Sequence, residues 1–414
     1  MKAAFVTLGC KLNYAETSTY ERGFRAAGWE IVPWRERADL YLVNTCCVTE
    51  TAGAKSRSEI RKLHRINPQA PIVVTGCYAQ MSRERVQALE GVALVFGSDE
   101  KGRVVSDSLA LFSSGPEAFP GDVPVFPAYS SGERTRSFLK VQDGCDNFCA
   151  YCTVPFARGR SRNIPICEAL RQAREIAALG MREIVLTGVN TGDFGRSTGE
   201  SFLDLLKALN GVEGIERYRI SSIEPNLLTE ETVDWIASGT KFQKHFHIPL
   251  QTGCDELLER MGRRYTTAEF EAKLSYIRAR MERPGEAKVF FGIDVMAGLP
   301  GETDELFART LAFLRRIRPA FIHAFPYSVR PGTRAAEMDG QVDERVKKER
   351  VAALEALCAE LHDAFTEENR GLPERVLFES RERDGRMSGY TGNYIRISRP
   401  YDPTLVGKLT EVTI

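Results

Sequence analysis

Val141 to Arg162 reads VQDGCDNFCAYCTVPFARGRSR, and three cysteines within it, Cys145, Cys149 and Cys152, set a C-x3-C-x2-C spacing with no fourth cysteine or histidine nearby. A structural zinc site is almost always closed by four protein ligands, and a cubane iron–sulfur cluster ordinarily takes one thiolate per iron. Three thiolates on one short loop therefore point to a [4Fe-4S] cluster with one iron left open. S-adenosylmethionine (SAM) needs such a vacancy to chelate iron through its amino and carboxylate groups. Three thiols buried as small hydrophobes would fit the loop poorly. Gly144, Asp146 and Asn147 make it polar, whereas free cysteines favour apolar interiors.

The triplet, with Tyr151 before its last cysteine, resembles the radical SAM superfamily, and the continuation TVPFARGRSR resembles its methylthiotransferase branch. Arg158, Arg160 and Arg162 alternate with small residues here. At the mouth of a site they suit the phosphates of an RNA substrate; salt bridging within the rim of the fold is the alternative.

Upstream, residues 1 to 112 alternate apolar runs with amphipathic helical stretches. KAAFVTLGC, DLYLVNTCC and PIVVTGC read as strands ending at Cys10, Cys46 and Cys77. Helical patterns follow them from about Asn13 to Ala27, Thr51 to Ile66 and Ser82 to Leu89. Such alternation implies a parallel-sheet α/β domain, whose ligands sit outside the carboxyl ends of the strands. The three cysteines share that place and are expected to converge on a second [4Fe-4S] cluster, again with one free iron. TLGCKLNYAET, VNTCCVT and VTGCYAQ resemble the methylthiotransferase cysteine motifs, which imply Cys46 as ligand and Cys47 as a packing residue. The helix AKSRSEIRKLHR shows Lys55, Arg57, Arg61, Lys62 and Arg65, either a solvated face or a phosphate contact.

Residues 113 to 135 are rich in serine, glycine and proline and read as a linker. From 136 to about 370 the pattern becomes β–α units, with strands SFLKVQD, REIVLTG, ERYRISSIEP, KHFHIPLQ, KVFFGIDVMAG and AFIHAFPYS. Six such units suit a partial (β/α)6 barrel with chemistry at the strands' carboxyl ends, and the radical SAM resemblance implies the same fold. By placement and resemblance, Tyr151, Thr187, Gly188, Asn190, Ser222, Glu224, Gln251 and Gly298 are the candidates for contact with SAM. Gly298, Pro300 and Gly301 match a family turn that lets backbone approach the cofactor. HFHIPLQTG and the M-x-R-x-Y run after it also match family segments; His245 and His247 share one strand face and read most simply as hydrogen-bonded core residues. HAFPYSVRPGTRA adds Tyr327 and Arg330 near the site. Cys167, Cys254 and Cys358 have no partners at ligand spacing and read as structural.

Val342 to Phe365 is a strong amphipathic helix with Asp343 at its start and Gly371-Leu372-Pro373 at its end. Residues 371 to 414 are short, β-like and turn-rich, with strands expected in RVLFES, YIRIS and LVGKLTEVTI. That layout resembles a TRAM domain, a small RNA-binding β-barrel, in which Tyr390, Tyr394 and Arg396 would stack on or clamp RNA; filling a small barrel is the alternative role for these side chains.

The chain carries 56 basic and 56 acidic residues, so no global field steers a nucleic acid to it and any RNA contact must be local. No apolar run approaches a membrane span, and Met1 leads into a strand rather than a signal peptide. Ten cysteines without a leader favour metal chemistry over disulfides, and a cytoplasmic setting is expected. The resemblance implies a reaction that side-chain bases cannot perform. Hydrogen on carbon 2 of adenine is not acidic at neutral pH, so its replacement requires homolysis, driven by reductive cleavage of SAM and followed by delivery of a methylated sulfur. TLGCKLN and GCDNFCAYC most resemble the branch acting on N6-threonylcarbamoyladenosine at tRNA position 37. The alternatives are isopentenyl-adenosine tRNA, a ribosomal-protein aspartate, or a non-catalytic iron–sulfur RNA-binding protein. The implied partners are tRNA and a flavodoxin-like or ferredoxin-like electron donor, with no role for DNA or membrane.

Overall fold

The computed structural model describes residues 1–112, 125–132, 135–380 and 382–414. Five parallel strands open the chain: β1 (Lys2–Thr7), β2 (Glu30–Val32), β3 (Leu40–Thr45), β4 (Ile72–Gly76) and β5 (Val92–Val95), in spatial order β2-β1-β3-β4-β5. β3 and β4 are buried along their whole length, which is why they read as unbroken apolar runs. The strand order reverses between β1 and β3, and the crevice at that point is where sheets of this kind bind ligands. Helices α1 (Lys11–Ala26), α2 (Glu50–Ile66) and α3 (Cys77–Met81) follow the carboxyl ends of β1, β3 and β4, on that same edge of the sheet. β2 and β5 are additions to the expected three strands. The expected helix 82–89 is a single turn, Arg83–Gln87.

The six expected barrel strands are all present. β6 (Ala128–Tyr129) pairs antiparallel with β7 (Arg136–Lys140), and a small hairpin joins β8 (Gln142–Asp143) to β9 (Arg162–Asn163). β10 (Glu183–Thr187), β11 (Arg217–Ile220), β12 (His245–Gln251), β13 (Phe290–Ala297) and β14 (Phe321–Pro326) complete two sheets, β11-β10-β7-β6 and β12-β13-β14. The Ile223 amide donates to the His247 carbonyl at 3.1 Å and carries the wall across the gap between them. Leu139, Ile184, Leu186, Ile220, Ile248 and Ile293 point outward into the main core beneath the helices. The two-residue period turns Arg136, Lys140, Glu183, Arg219, His247, Asp294 and His323 to the opposite, inner face. Of the expected linker, residues 113–124, 133 and 134 lie outside the described residues, while Ala128–Tyr129 within it forms β6.

The long helix Glu344–Glu368 is capped by Asp343, whose carboxylate accepts from the Arg345 amide at 2.8 Å. The C-terminal sheet is antiparallel: β15 (Pro373–Phe378), β16 (Arg386–Tyr390), β17 (Arg396–Pro400) and β18 (Leu409–Thr413), in order β17-β16-β15-β18. It docks on the amino-terminal end of the barrel through arginines. Arg219 donates to the carbonyls of Gly392 at 2.8 Å and Thr391 at 2.7 Å, and Arg136 pairs with Glu379 at 2.8 Å. Buried Glu183 anchors these cations, 2.8 Å from Arg219 and 3.8 Å from Arg136.

Tyr390 and Tyr394 are therefore not on an RNA-facing surface. They stack on each other at 4.8 Å, Arg136 lies over Tyr390 and Arg219 over Tyr394, and Tyr394 packs against His245 at 4.7 Å. The two rings plug the bottom of the barrel, because the cations that need an aromatic face are inside it. Arg396 remains exposed.

Removing the anchor should loosen this plug. Glu183→Gln leaves Arg136, Arg219 and Arg217, the last 3.7 Å from the same carboxylate, without their shared anion, a change that costs about 3–5 kcal/mol for a buried pair. Chemical denaturation should show a loss of that size, and limited proteolysis should cut near residue 371 faster than in the wild type; wild-type behaviour in both would contradict the anchoring role.

Candidate active site

The loop between β8 and the one-turn helix Val154–Arg158 carries the cysteine triplet at the carboxyl end of the barrel. Backbone amides approach two of its sulfurs, Asn147 N at 3.5 Å from Cys145 Sγ and Val154 N at 3.4 Å from Cys152 Sγ. Burial pushes the Cys145 thiol up to about 11 and the Cys152 thiol up to about 12, with the neighbouring cysteines adding to the rise. Both are thiols at neutral pH until a metal displaces their protons.

Cys149 has a charged partner that the motif did not reveal. Arg263 Nη1 donates to Cys149 Sγ at 3.2 Å, lies 3.4 Å from the Tyr151 hydroxyl, and pairs with Glu224 at 2.8 Å. This almost fully buried guanidinium thus joins the cluster loop to the end of β11. Its only trace in the sequence is the middle position of the M-x-R-x-Y run.

The other SAM candidates gather at the same end of the barrel. Asn190 Oδ1 accepts from the Glu224 amide at 3.3 Å, and Gln142 Oε1 accepts from the Asn190 amide at 3.0 Å. Gln142 also explains Gly188, where a Cβ would stand 2.8 Å from its Oε1. Thr187 Oγ1 turns back to the Val185 carbonyl, and the Ser222 carbonyl accepts from Thr191. Gln251 is buried at the end of β12 with φ of 76°. At Gly298 a Cβ would meet Lys347 Cγ at 2.3 Å, so packing of the long helix by itself requires glycine there.

In the first domain Cys10, Cys46 and Cys77 follow the ends of β1, β3 and β4. Cys46 lies within electrostatic reach of both Cys77 and Cys10, and burial raises its thiol. Gly9, at φ of +96°, brings the chain so close that a Cβ would sit 2.8 Å from Cys46 Sγ. Only glycine fits. Cys47 instead turns into the core beside Val74 and Ala79 and donates its S–H to Cys77. That hydrogen bond, against the opposing effect of burial, brings the Cys77 thiol down to about 6, with Arg158 and Lys101 contributing.

Arg158 corrects the reading of the arginine run. It is buried, donating to Asp143 Oδ1 at 2.8 Å, to Glu16 Oε1 at 3.3 Å and to Asn13 Oδ1 at 2.5 Å. Lys101 reaches Glu16 at 2.8 Å, and Lys140 reaches Glu16 and Asp143 at 2.7 Å each. Three cations thus face two carboxylates in a dry junction between the first domain and the barrel, so Arg158 cannot reach a phosphate. Arg162 folds back on the carbonyls of Arg158 and Arg160. Arg160 stays largely exposed above Phe148. On α2, Lys55, Arg61, Lys62 and Arg65 are exposed, whereas Arg57 is tied to the Tyr78 hydroxyl at 2.7 Å. Tyr327 is buried, and Arg330 crosses to Glu50 of α2 at 3.2 Å. Cys254 donates to the Leu306 carbonyl and Cys358 accepts from the Ile322 amide, so both are structural.

A cysteine triplet at the carboxyl end of a partial barrel, preceded by a parallel α/β sheet with cysteines after three of its strands, defines a radical SAM architecture with an appended cysteine-bearing domain. Residues 139–314 match the radical SAM superfamily, and residues 2–97 match a family described as uncharacterized protein family UPF0004. The chain belongs to the radical SAM methylthiotransferases. It is 38% identical to the threonylcarbamoyladenosine tRNA methylthiotransferase MtaB of Bacillus subtilis, covering 99% of this chain and 93% of the relative. The protein of the same name from Aquifex aeolicus is 37% identical, with both chains fully covered. The tRNA-2-methylthio-N(6)-dimethylallyladenosine synthase of Alkaliphilus oremlandii is 32% identical over 100% of this chain and 90% of its own. Among solved structures, the radical SAM methyltransferase TsrM of Kitasatospora setae shares the fold with a TM-score of 0.57 at 16% identity, covering 81% of this chain and 77% of that one. Membership in the radical SAM family implies a [4Fe-4S] cluster and SAM. No helix among the described residues is long and apolar enough to cross a membrane.

Arg263 and Glu16 can be tested separately. Arg263→Met should lower activity by roughly 10–100-fold, as outer partners of metal ligands do, with partial rescue by Arg263→Lys and unchanged iron content; full activity in Arg263→Met would contradict the role. Against the penalty of its burial, Lys101, Lys140 and Arg158 draw the Glu16 carboxyl well below the usual range. Its contribution to stability is complete above the unfolded carboxylate range and is lost as pH falls below about 4. Glu16→Gln should cost about 3–5 kcal/mol at pH 7 and flatten the acid limb of the unfolding profile; an unaltered acid limb would contradict this assignment.

Proposed function

We propose that the protein methylthiolates carbon 2 of N6-threonylcarbamoyladenosine at tRNA position 37. The observation that carries the reading is the near-full-length likeness to two relatives named for that reaction, and the two sets of three cysteines that follow strand ends support it. The donor sets fit the groups they would hold. Cys145, Cys149 and Cys152 would bind the first cluster, and Cys10, Cys46 and Cys77 a second, each triad leaving one iron without a protein ligand. When bound, the first cluster supplies the electron that cleaves SAM, and the second supplies the site from which methylated sulfur is delivered.

The chain's own residues do the placing. Arg263 holds Glu224 and Cys149 in fixed relation, so that a SAM molecule contacting Glu224, Asn190 or Gln251 is positioned against the cluster loop. The Glu16–Arg158 junction keeps the two triads facing one another and, by its excess of cations, favours anionic thiolate clusters on both sides. Arg160, Arg396 and the exposed cations of α2 are the surface charges available to the tRNA backbone. The electron comes from a flavodoxin-like or ferredoxin-like protein, and the setting is the cytoplasm.

Anaerobic reconstitution should give about eight irons per chain, falling to about four in Cys77→Ala and in Cys152→Ala alike. Nucleosides from a strain lacking the gene should lose 2-methylthio-N6-threonylcarbamoyladenosine and regain it on complementation. Loss of the isopentenyl analogue instead would move the assignment to the other tRNA substrate, and loss of neither would refute it.

A further inference from the structure

The middle of the barrel lumen holds a group of polar side chains that neither triad nor the SAM site uses. His247 on β12, Asp294 on β13 and His323 on β14 lie on adjacent strands, with His247 Nε2 2.7 Å from Asp294 Oδ1 and the two imidazole rings 4.9 Å apart. Below them, His245 stacks between Phe290 and Tyr394 and closes the floor.

The fourth member comes from the first domain. Lys11 is the first residue of α1 and follows the ligand Cys10 directly. Three and four residues on, Tyr14 packs edge-on against Phe138 of β7 at 5.8 Å, and Ala15 joins Phe138 and Val185 in one apolar contact. Residues at those spacings share a helix face, so Lys11 extends from the same face into the lumen. Its electrostatic neighbours are Arg136, Asp294 and Arg219, from three different strands, together with Cys10. Water reaches the side chain. No hydrogen-bond or ion-pair partner for it occurs among the described residues. The lumen's carboxylates are already engaged, Asp294 by His247 and Glu183 by Arg219.

An ammonium left over among paired charges calls for an anion. The same three side chains of the barrel bring ligand atoms within 4.8 Å of one another, a spacing that would admit a metal ion. A divalent cation is disfavoured there, because Lys11 and Arg219 stand beside it and Asp294 is committed to His247. We propose that Lys11, with His247 and His323, forms a subsite for the carboxylate of the amino acid attached to N6 of the substrate adenine. This rests on the functional reading above. Ring chemistry supports the placement: C2 and C6 both flank N1, so a substituent on N6 enters the same cleft as the reacting carbon, and Lys11 adjoins a ligand of the cluster that must face that carbon. Asp294 fixes the His247 ring, and His323 stands beside it on the adjoining strand.

The test compares two synthetic anticodon stem-loops, one carrying N6-threonylcarbamoyladenosine and one in which the threonyl carboxylate is a carboxamide. Their phosphates are identical, so backbone attraction cancels. Reconstituted wild-type protein should bind the carboxylate form about 10-fold more tightly or better, as a charged hydrogen bond predicts. Lys11→Met should bring the two within about twofold of each other while retaining its iron, and Lys11→Arg should keep most of the preference. Equal binding of the two stem-loops by the wild type, or full preference in Lys11→Met, overturns the subsite. Methylthiolation of both stem-loops at equal kcat/KM also overturns it while leaving the functional reading intact; methylthiolation of neither refutes that reading and the subsite with it.

Discussion

Five charged side chains buried between the first domain and the barrel determine how everything else is placed. Glu16 comes from α1, Lys101 from the end of the first domain, Lys140 from β7, Asp143 from β8 and Arg158 from the helix after the cluster loop, each almost inaccessible to water. Removing any one leaves an uncompensated charge in a medium that cannot solvate it. The junction therefore has one arrangement. Because α1 begins beside Cys10 and Arg158 ends the helix after Cys152, that arrangement fixes the relation between the triads. The same ions set the local field: three cations against two carboxylates leave positive charge next to Cys10 and Cys77.

The barrel is graded along its axis in a way that follows from this. At the bottom, Glu183 gathers Arg136, Arg217 and Arg219, and the aromatic plug of the C-terminal sheet seals them from water. At the top, Arg263, Glu224, Asn190 and Gln142 form a rigid polar rim around the cluster loop. Between them lie the histidines and Asp294. Charges closed off above and below leave the middle layer for something that enters from outside.

Much of this was legible in the sequence, and the failures share a cause. The strand-end cysteines, the six barrel strands and the long C-terminal helix follow from local pattern, since apolar periodicity and cysteine spacing survive without knowledge of neighbours. The roles of charged and aromatic residues do not. Arg158 sits in the same basic run as Arg160, but its partners Glu16 and Asn13 are more than a hundred residues away. Tyr390 and Tyr394 resemble stacking platforms and do stack, on arginines from β7 and β11 in place of bases. Gly298 marks a close approach whose maker, Lys347, belongs to a helix some fifty residues downstream. Arg263 stands inside the M-x-R-x-Y run and Lys11 inside TLGCKLN, but only tertiary distance shows what each one faces.

The central claim is that two cysteine triads hold two clusters across one cleft, locked by the buried ion network. Anomalous diffraction at the iron edge from crystals of anaerobically reconstituted protein tests it most directly. Two four-iron peaks facing one another are expected, one bonded to Cys145, Cys149 and Cys152 and the other to Cys10, Cys46 and Cys77, with Cys47 unligated. A single peak at the first triad, or a second one bound through Cys47, would contradict it.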